Sequence, residues 1–163
     1  IGLNHQNHSG AGNTSYFFKA RQFEYTLLGA VGELTPFNIS ASQSADQPVK
    51  ATQMNDDSAT ITANGNTTGR QLGAVTSAQK VYASLHVWSV AGTSTPTLTA
   101  KIQSDDNSSF TSATDRITMT SATTITSEYK TASGAITDDY WRVNWTLSGT
   151  SPVFKAIVSI GIA

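Results

Sequence analysis

The 163-residue chain contains no cysteine, and charged residues are scarce. Without Cys there can be no disulfide framework, no thiolate nucleophile and no cysteine-based zinc site. Charged side chains make up 13% of the sequence and the net charge is −1, whereas typical soluble domains carry about 25% charged residues. This balance excludes a protein that binds nucleic acid through a basic surface.

Long apolar runs and glutamate are also rare. The most apolar segment, residues 157–162, is far shorter than the roughly 20 residues that cross a bilayer. No charged and then apolar signal peptide begins the chain, so the sequence predicts neither export nor a membrane partner. The three glutamates, Glu24, Glu33 and Glu128, leave few carboxyl groups for paired acid and base catalysis. We therefore predict a protein that is not an enzyme and needs no cofactor.

Hydroxyl groups take the place of charge. The chain has 24 Thr and 20 Ser, together 44 of 163 residues. On the solvent face of a strand, Thr supplies β-branching and hydrogen bonds, and two such sheets can meet without desolvating ions. This composition favours contact between copies of the chain, although sheet edges with so little charge need to be covered.

The length fits one domain, with a polar segment in front of it. Residues 1–15 are small and polar with too little apolar surface to form a core, so we predict an N-terminal docking arm followed by a single domain over 16–163. The predicted interface residues lie in the arm and at the start of the domain: Leu3, His5, His8, Tyr16 and Phe18.

Alternating apolar and polar residues predict strands along most of the chain. The predicted strands cover residues 16–28, 49–54, 59–63, 80–90, 97–103, 116–120, 125–131, 140–147 and 153–162. Asn64-Gly65 has the signature of a hairpin turn, and residues 148–152 read as a turn that ends in a proline. Because no stretch is an amphipathic helix, we expect an all-β fold, an antiparallel β-sandwich or jelly roll with an extended N-terminal arm.

Three acidic doublets could provide oxygen ligands for calcium. They are Asp56-Asp57, Asp105-Asp106 and Asp138-Asp139. Asp and Asn are favoured turn residues because their side chains bond to nearby backbone, and each doublet falls at a predicted strand end. No twelve-residue calcium loop is present, so the sequence predicts no metal site, with Asp105, Asp106, Asp138 and Asp139 as the weak candidates.

Aromatic residues offer a different kind of site, since exposed rings on a β-sandwich can stack on sugars. Trp141 and Trp145 share a parity with other apolar residues and are expected in the core. Trp88 and Tyr140 are the candidates for exposure and for glycan contact. His86 lies on the outward parity of its strand and has no catalytic partner in a recognisable motif.

The second part of the chain, about residues 74–163, resembles virion structural proteins of tailed bacteriophages. The residues that carry the resemblance are 74–83, 103–107 with Phe110, Ser112 and 116–118, and 134–143. These are turn and strand signatures. The resemblance implies a β-sandwich building block, most like a capsid decoration (cement) protein, with a tail component as the rival and a carbohydrate-binding module as a further alternative.

The resemblance also sets expectations for partners and location. Decoration proteins of this kind commonly form homotrimers on the head, so the expected partners are further copies of the chain and the major capsid protein. The expected location is the capsid surface of a virion assembled in the host cytoplasm.

Overall fold

The computed structural model describes residues 2–4, 10–18, 20–27, 37–43 and 48–163, with side chains described for 10–18 and 48–163. These residues form an all-β, antiparallel structure. The strands are β1 Gly2–Asn4, β2 Thr14–Phe17, β3 Ala20–Leu27, β4 Phe37–Gln43, β5 Val49–Gln53, β6 Gly65–Asn66, β7 Arg70–Gln71, β8 Lys80–Asp105, β9 Thr114–Thr118, β10 Thr126–Ser133 and β11 Tyr140–Ile162. The described residues include no helix long and apolar enough to cross a membrane.

Two long strands, β8 and β11, form the centre of the main sheet. They pair antiparallel from Tyr140 opposite Asp105 to Ile162 opposite Val81. The sheet order is β1-β2-β5-β11-β8-β10, with β6 and β7 also on β11 and β9 also on β8. Strands β3 and β4 pair with each other in a separate two-stranded sheet. We call the β8–β11 pair the central ribbon.

The ribbon has an irregular middle that divides it into two halves. In this middle, register shifts occur around residues 91–97 of β8 and 148–153 of β11. The backbones approach so closely there that a Cβ on Gly92 would lie 2.8 Å from the Ser151 carbonyl oxygen, and one on Gly149 would lie 2.7 Å from Pro96 Cα. Only glycine fits such a contact, which explains why these two residues stand in the middle of strands.

The predicted alternation is confirmed in both halves. In β8 the buried residues switch from odd numbers to even ones, and in β11 they do the same, so the irregular middle keeps apolar residues on the buried side. One hydrophobic cluster draws from both halves, and its ribbon members are Val81, Ala83, Leu85, Val87, Leu98, Ala100, Ile102, Trp141, Val143, Trp145, Phe154, Ala156, Val158 and Ile160.

Three local predictions were wrong. Residues 148–152 do not end the strand in a turn but continue β11, with Ser148 opposite Thr97 and Thr150 opposite Thr93 of β8. Asn64-Gly65 does not close a hairpin, since Gly65 pairs with Trp145 of β11 and the Asn64 side chain accepts a hydrogen bond from the Leu147 N–H at 2.7 Å. In residues 59–63 the structure has only a single bridge, between Ile61 and Phe154.

Part of the predicted arm belongs to the sheet. Strand β1 pairs with β2, with Leu3 opposite Tyr16, and β2 pairs with β5. The turn before β2 is held by the Gly12 N–H, which donates to the Gln53 carbonyl, and by the Ala11 N–H, which donates to Asp56 Oδ1 at 2.7 Å. The N-terminal segment thus extends the sheet at the end opposite β10.

Candidate functional site

The outer face of the ribbon half formed by residues 80–90 and 153–162 carries aromatic side chains, and we call this half the aromatic half. Tyr82, Ser84 and His86 alternate with buried residues of β8, so they point away from the core. Opposite residues in an antiparallel pair share a face, which places their β10 partners on the same outer surface. These partners are Thr131, Tyr129 and Ser127 respectively.

Three rings meet on this face. The Tyr129 ring lies 6.0 Å from that of Phe17 in an edge-to-face contact and 6.1 Å from that of Tyr82. Phe17 and Tyr82 also pack with Val49 and Ala51 of β5 in a second hydrophobic cluster, apart from the main core. Tyr129 nevertheless remains 53% exposed, so the cluster presents an aromatic surface to its surroundings.

Trp88 is the extra residue of a β-bulge. Val87 pairs with Ala156 and Ser89 with Lys155, which leaves Trp88 without an opposite residue on β11. Bulges of this kind redirect a side chain, and Trp88 is 39% exposed as the sequence suggested it could be. Ile125, just before β10, is 70% exposed.

Between the rings and Trp88 lies a polar contact. Ser127 Oγ and His86 Nδ1 are 2.7 Å apart and share a hydrogen bond between β10 and β8. The outer surface of these two strands is therefore aromatic at one end, polar in the middle and apolar again at Trp88.

Tyr140, the second predicted glycan contact, lies elsewhere. It begins β11, opposite Asp105 of β8 and Gln71 of β7, and is half-buried. Trp88 lies at the bulge beside Lys155 and Ala156, towards the other end of β11, so the structure does not bring the two rings into one platform on the ribbon.

Three of the predicted interface residues, Leu3, Tyr16 and Phe18, lie in or next to β1 and β2, at the other end of the strand order from β10. Tyr16 is exposed and stands between Leu3 of β1 and Lys50 of β5, while Phe18 follows β2 and is half-buried. His5 and His8 fall outside the described residues.

The other half of the ribbon, residues 97–105 with 140–148, has a hydrogen-bonded polar outer face, and we call it the polar half. Asp115 of β9 accepts from Lys101 Nζ at 2.6 Å and from Gln103 Nε2 at 2.7 Å. These two bonds, together with the positive charge of Lys101, hold the pKa of Asp115 below its usual value. Arg142 Nε donates to Gln103 Oε1 at 2.8 Å, so donors and acceptors satisfy one another across three strands.

The Asp105-Asp106 doublet binds the backbone of the loop that follows β8. Burial opposes ionisation of Asp105, but its carboxylate accepts from the Ser112 N–H at 2.8 Å and the Asn107 N–H at 3.2 Å, and its pKa is lowered. The loop turns through Phe110, whose φ of 54° is left-handed and whose ring lies 4.4 Å from the Arg142 guanidinium carbon. Asp106 accepts from Asn107 Nδ2 at 3.2 Å.

The Asp138-Asp139 doublet ties loops to strands. Asp138 Oδ2 accepts from Ser104 Oγ at 2.7 Å and from the Arg116 guanidinium at 2.8 Å, and the Arg116 Nε donates to Ser104. The Ser104 bond and the Arg116 ion pair lower the pKa of Asp138. Asp139 accepts from Gln71 Nε2.

The side chains of these acidic doublets therefore connect loops and strands through hydrogen bonds. In the part of the chain that the structure describes, no group of three or more His, Asp or Glu side chains could hold a metal ion. A cleft of about 290 Å³ beside β10 is lined mainly by Thr and Ser, and the carboxylate in its lining, Glu128, accepts from both the N–H and the hydroxyl of Thr120 at 2.7 Å. Burial opposes ionisation of Glu128, yet these bonds and Lys130 lower its pKa.

No family model, no curated protein and no solved structure matches the chain.

Sequence reasoning missed the aromatic cluster. Phe17 and Tyr129 stand 112 positions apart in the chain, so no local pattern joins them. The signal that could have found it is parity: the predicted strand over residues 125–131 places Tyr129 on the face opposite Glu128 and Lys130. The parity does not identify the strand that lies next to residues 125–131.

Proposed function

We propose that the chain is a non-enzymatic structural protein of a tailed-bacteriophage virion, a capsid decoration (cement) protein that binds the head as a homo-oligomer. The observation that supports it best is the outer surface of the aromatic half, where exposed Tyr129 and Trp88 lie on strands and exposed Ile125 directly precedes β10. Exposed apolar groups on a sheet favour association with another protein surface. The low net charge agrees with a partner that is not nucleic acid.

The proposal includes a β-sandwich in which the two halves of the ribbon face each other. It is supported by the single hydrophobic cluster to which both halves contribute. It is supported also by the register shifts at the ribbon middle, since strands that pass from one sheet to another do so at bulges and bends. The segments that carry the resemblance lie in this part of the chain, in the ribbon and the loops at its ends.

The binding partner in this proposal is the major capsid protein, with the same contact repeated by symmetry around the head. Repetition raises the avidity of a small contact, so each copy needs only a modest apolar surface. The N-terminal segment, whose β1 and β2 end the sheet opposite β10, is the second proposed contact.

Particle composition tests the location. Virions from the strain that encodes the chain would be purified and labelled with an antibody against it. Labelled heads support the decoration role, labelled tails favour the tail component, and unlabelled particles that also lack the chain by mass spectrometry contradict both. Deletion of residues 1–15 tests the arm, because unchanged oligomerisation and unchanged head occupancy would show that it makes no contact.

A second candidate function is carbohydrate binding, and the bulge at Trp88 favours it. A half-exposed indole beside the hydrogen-bonded pair of His86 and Ser127 offers a stacking face next to polar groups. A glycan array with wild type, Trp88→Ala and Trp88→Phe tests it: binding that is lost in the first variant and kept in the second supports the site. Tyr140→Ala is the matched control on the polar half, and an array with no wild-type binding contradicts this function.

A further inference from the structure

Among the strands that the structure describes, β10 is the last in the order of the main sheet, and one of its two edges is paired to β8. It is eight residues long, contains no proline, and alternates exposed with half-buried residues. A strand in this position offers backbone donors and acceptors to a further strand. The occupant that fits it can be identified from the charges on the strand.

The charges of β10 are arranged with mirror symmetry about Tyr129. Glu128 precedes Tyr129 and Lys130 follows it, and both charged side chains are on the face opposite the tyrosine. When two copies of β10 pair antiparallel about a twofold axis at Tyr129, Glu128 of each copy stands opposite Lys130 of the other. Opposite charges at directly facing positions stabilise a strand pair.

The neighbouring registers are disfavoured by the same charges. A shift of two residues in one direction places Glu128 opposite Glu128, and a shift in the other direction places Lys130 opposite Lys130. Like charges directly opposite one another destabilise a strand pair. The sequence of β10 thus selects one register for a second copy of itself.

The selected register also buries apolar surface. It places the two Tyr129 side chains next to each other on the outer face, where each is 53% exposed in the single chain. Adjacent aromatic residues across an antiparallel pair contribute favourable ring contacts. The polar positions Ser127 and Thr131 face each other as well, so hydroxyl meets hydroxyl.

We propose that two copies of this chain associate through their β10 strands, antiparallel and centred on Tyr129, to form a continuous sheet across a twofold axis. This inference deepens the proposed homo-oligomer. It depends on the proposed decoration role only for its function on a virion, because the dimer itself is expected to form in solution. It predicts a dimer as the unit, whereas the trimer implied by the resemblance needs contacts on another surface.

Lys130 is the feature that argues against pairing, because inward-facing lysines commonly protect sheet edges. Here the lysine has Glu128 two residues away, and the two side chains form an ion pair at 3.1 Å in the single chain. Lys130 Nζ also donates to the Thr118 carbonyl at 2.9 Å, and Glu128 accepts from Thr120. In the dimer each charged group can exchange its ion-pair partner for the equivalent group in the other copy and keep its bonds to Thr118 or Thr120, so neither charge is left unpaired. Lys130 therefore blocks other registers but not this one.

The experiment is sedimentation velocity of the full chain from about 1 to 500 µM. An interface of two strand edges is small, so we expect a dimer whose dissociation constant lies in the micromolar range. Glu128→Lys gives a copy with two lysines at these positions, and Lys130→Glu gives a copy with two glutamates. Each alone is expected to weaken its own dimer by about tenfold or more.

An equimolar mixture of the two single variants is the decisive sample. In a mixed dimer both facing pairs are again opposite in charge, so association is expected to return to the wild-type level. Lys101→Glu with Asp115→Lys is the matched control on the polar half, where a swapped cross-strand pair is expected to leave dimerisation unchanged. Far-UV circular dichroism of every variant establishes that it is folded.

Four results would overturn the proposal. They are a wild type that is monomeric over the whole range, a trimer that neither variant weakens, single variants that dimerise as well as wild type, and a mixture no tighter than its components. None of these depends on labelling of virions, so a failure of the decoration role leaves the dimer standing, and a failure of the dimer leaves that role standing.

Discussion

The two halves of the central ribbon present the same kind of side chain to the core and different kinds to the outside. On the polar half, Lys101, Gln103 and Asp115 bond to one another and leave few groups for a partner. On the aromatic half, Tyr129 packs against Phe17 and Tyr82, and both Tyr129 and Trp88 remain exposed. A face whose groups satisfy one another stabilises the fold, whereas a face with exposed rings gains free energy from a partner.

The largest expected effect comes from the core that both halves share. Trp141→Ala removes a fully buried ring and the bond from its Nε1 to the Gly73 carbonyl at 2.9 Å, so we expect a loss of about 3 to 5 kcal/mol in the free energy of unfolding. Urea unfolding measures it. Trp88→Ala is the matched control on the outer face. An equal loss of unfolding free energy in that variant would contradict the distinction between core and surface.

A smaller effect is expected where β11 passes β5 in the aromatic half. A Cβ on Gly161 would lie 2.8 Å from the Lys50 carbonyl oxygen, so Gly161→Ala must push two strands apart at a cost of about 1 to 3 kcal/mol. Thermal unfolding checks this value. Gly65→Ala meets no atom within 4 Å and serves as the control; a variant at Gly161 as stable as the one at Gly65 would contradict the tight approach.

The ion pair between Arg116 and Asp138 makes a pH-dependent contribution to stability. Asp138→Asn leaves the Arg116 guanidinium without its carboxylate, and since both side chains are largely buried we expect a loss of about 1 to 2 kcal/mol at pH 7. The lowered pKa of Asp138 means that the carboxylate stabilises the fold above the unfolded-state pKa, about 4, and that this contribution disappears as the pH falls through the lower folded-state value. Urea unfolding between pH 7 and pH 2.5 should show the gap between wild type and variant narrowing in acid; a constant gap would contradict it.

The smallest effect is expected on the polar outer face itself. Lys101→Met breaks an exposed ion pair with Asp115, and such pairs contribute about 0.2 to 1 kcal/mol. Denaturation in low and high salt measures it, with the difference from wild type shrinking as salt screens the charges. A loss of several kcal/mol would show that this face contributes more to stability than its exposure indicates.

Much of the ribbon could be predicted from residue order. The period of two in Val81, Ala83, Leu85 and Val87 identifies the buried face of β8 because neighbouring side chains of a strand point to opposite sides. The same pattern identifies Trp141 and Val143 in β11. Continuity through the ribbon middle could not be predicted, since glycine, serine and proline have the same local preferences in a turn and in an irregular strand pair.

The candidate site was only half predictable. The outward parity of His86 and Trp88 indicated exposure, and the Asp doublets fell at strand ends where turns need them. The bulge that leaves Trp88 unopposed depends on how β11 aligns with β8, and that alignment is a property of the packed sheet.

Sequence alone determined that the chain is all-β, that it has few charges to desolvate, and which side of each ribbon strand is buried. These follow from composition and from the period of two, which act locally. Only the tertiary structure decided that Phe17, Tyr82 and Tyr129 share one outer face and that β10 is the last of the described strands in the main sheet. The reason is physical, because strand order and register arise from contacts between residues far apart in the chain. The local alternation of apolar and polar residues does not specify which strands become neighbours.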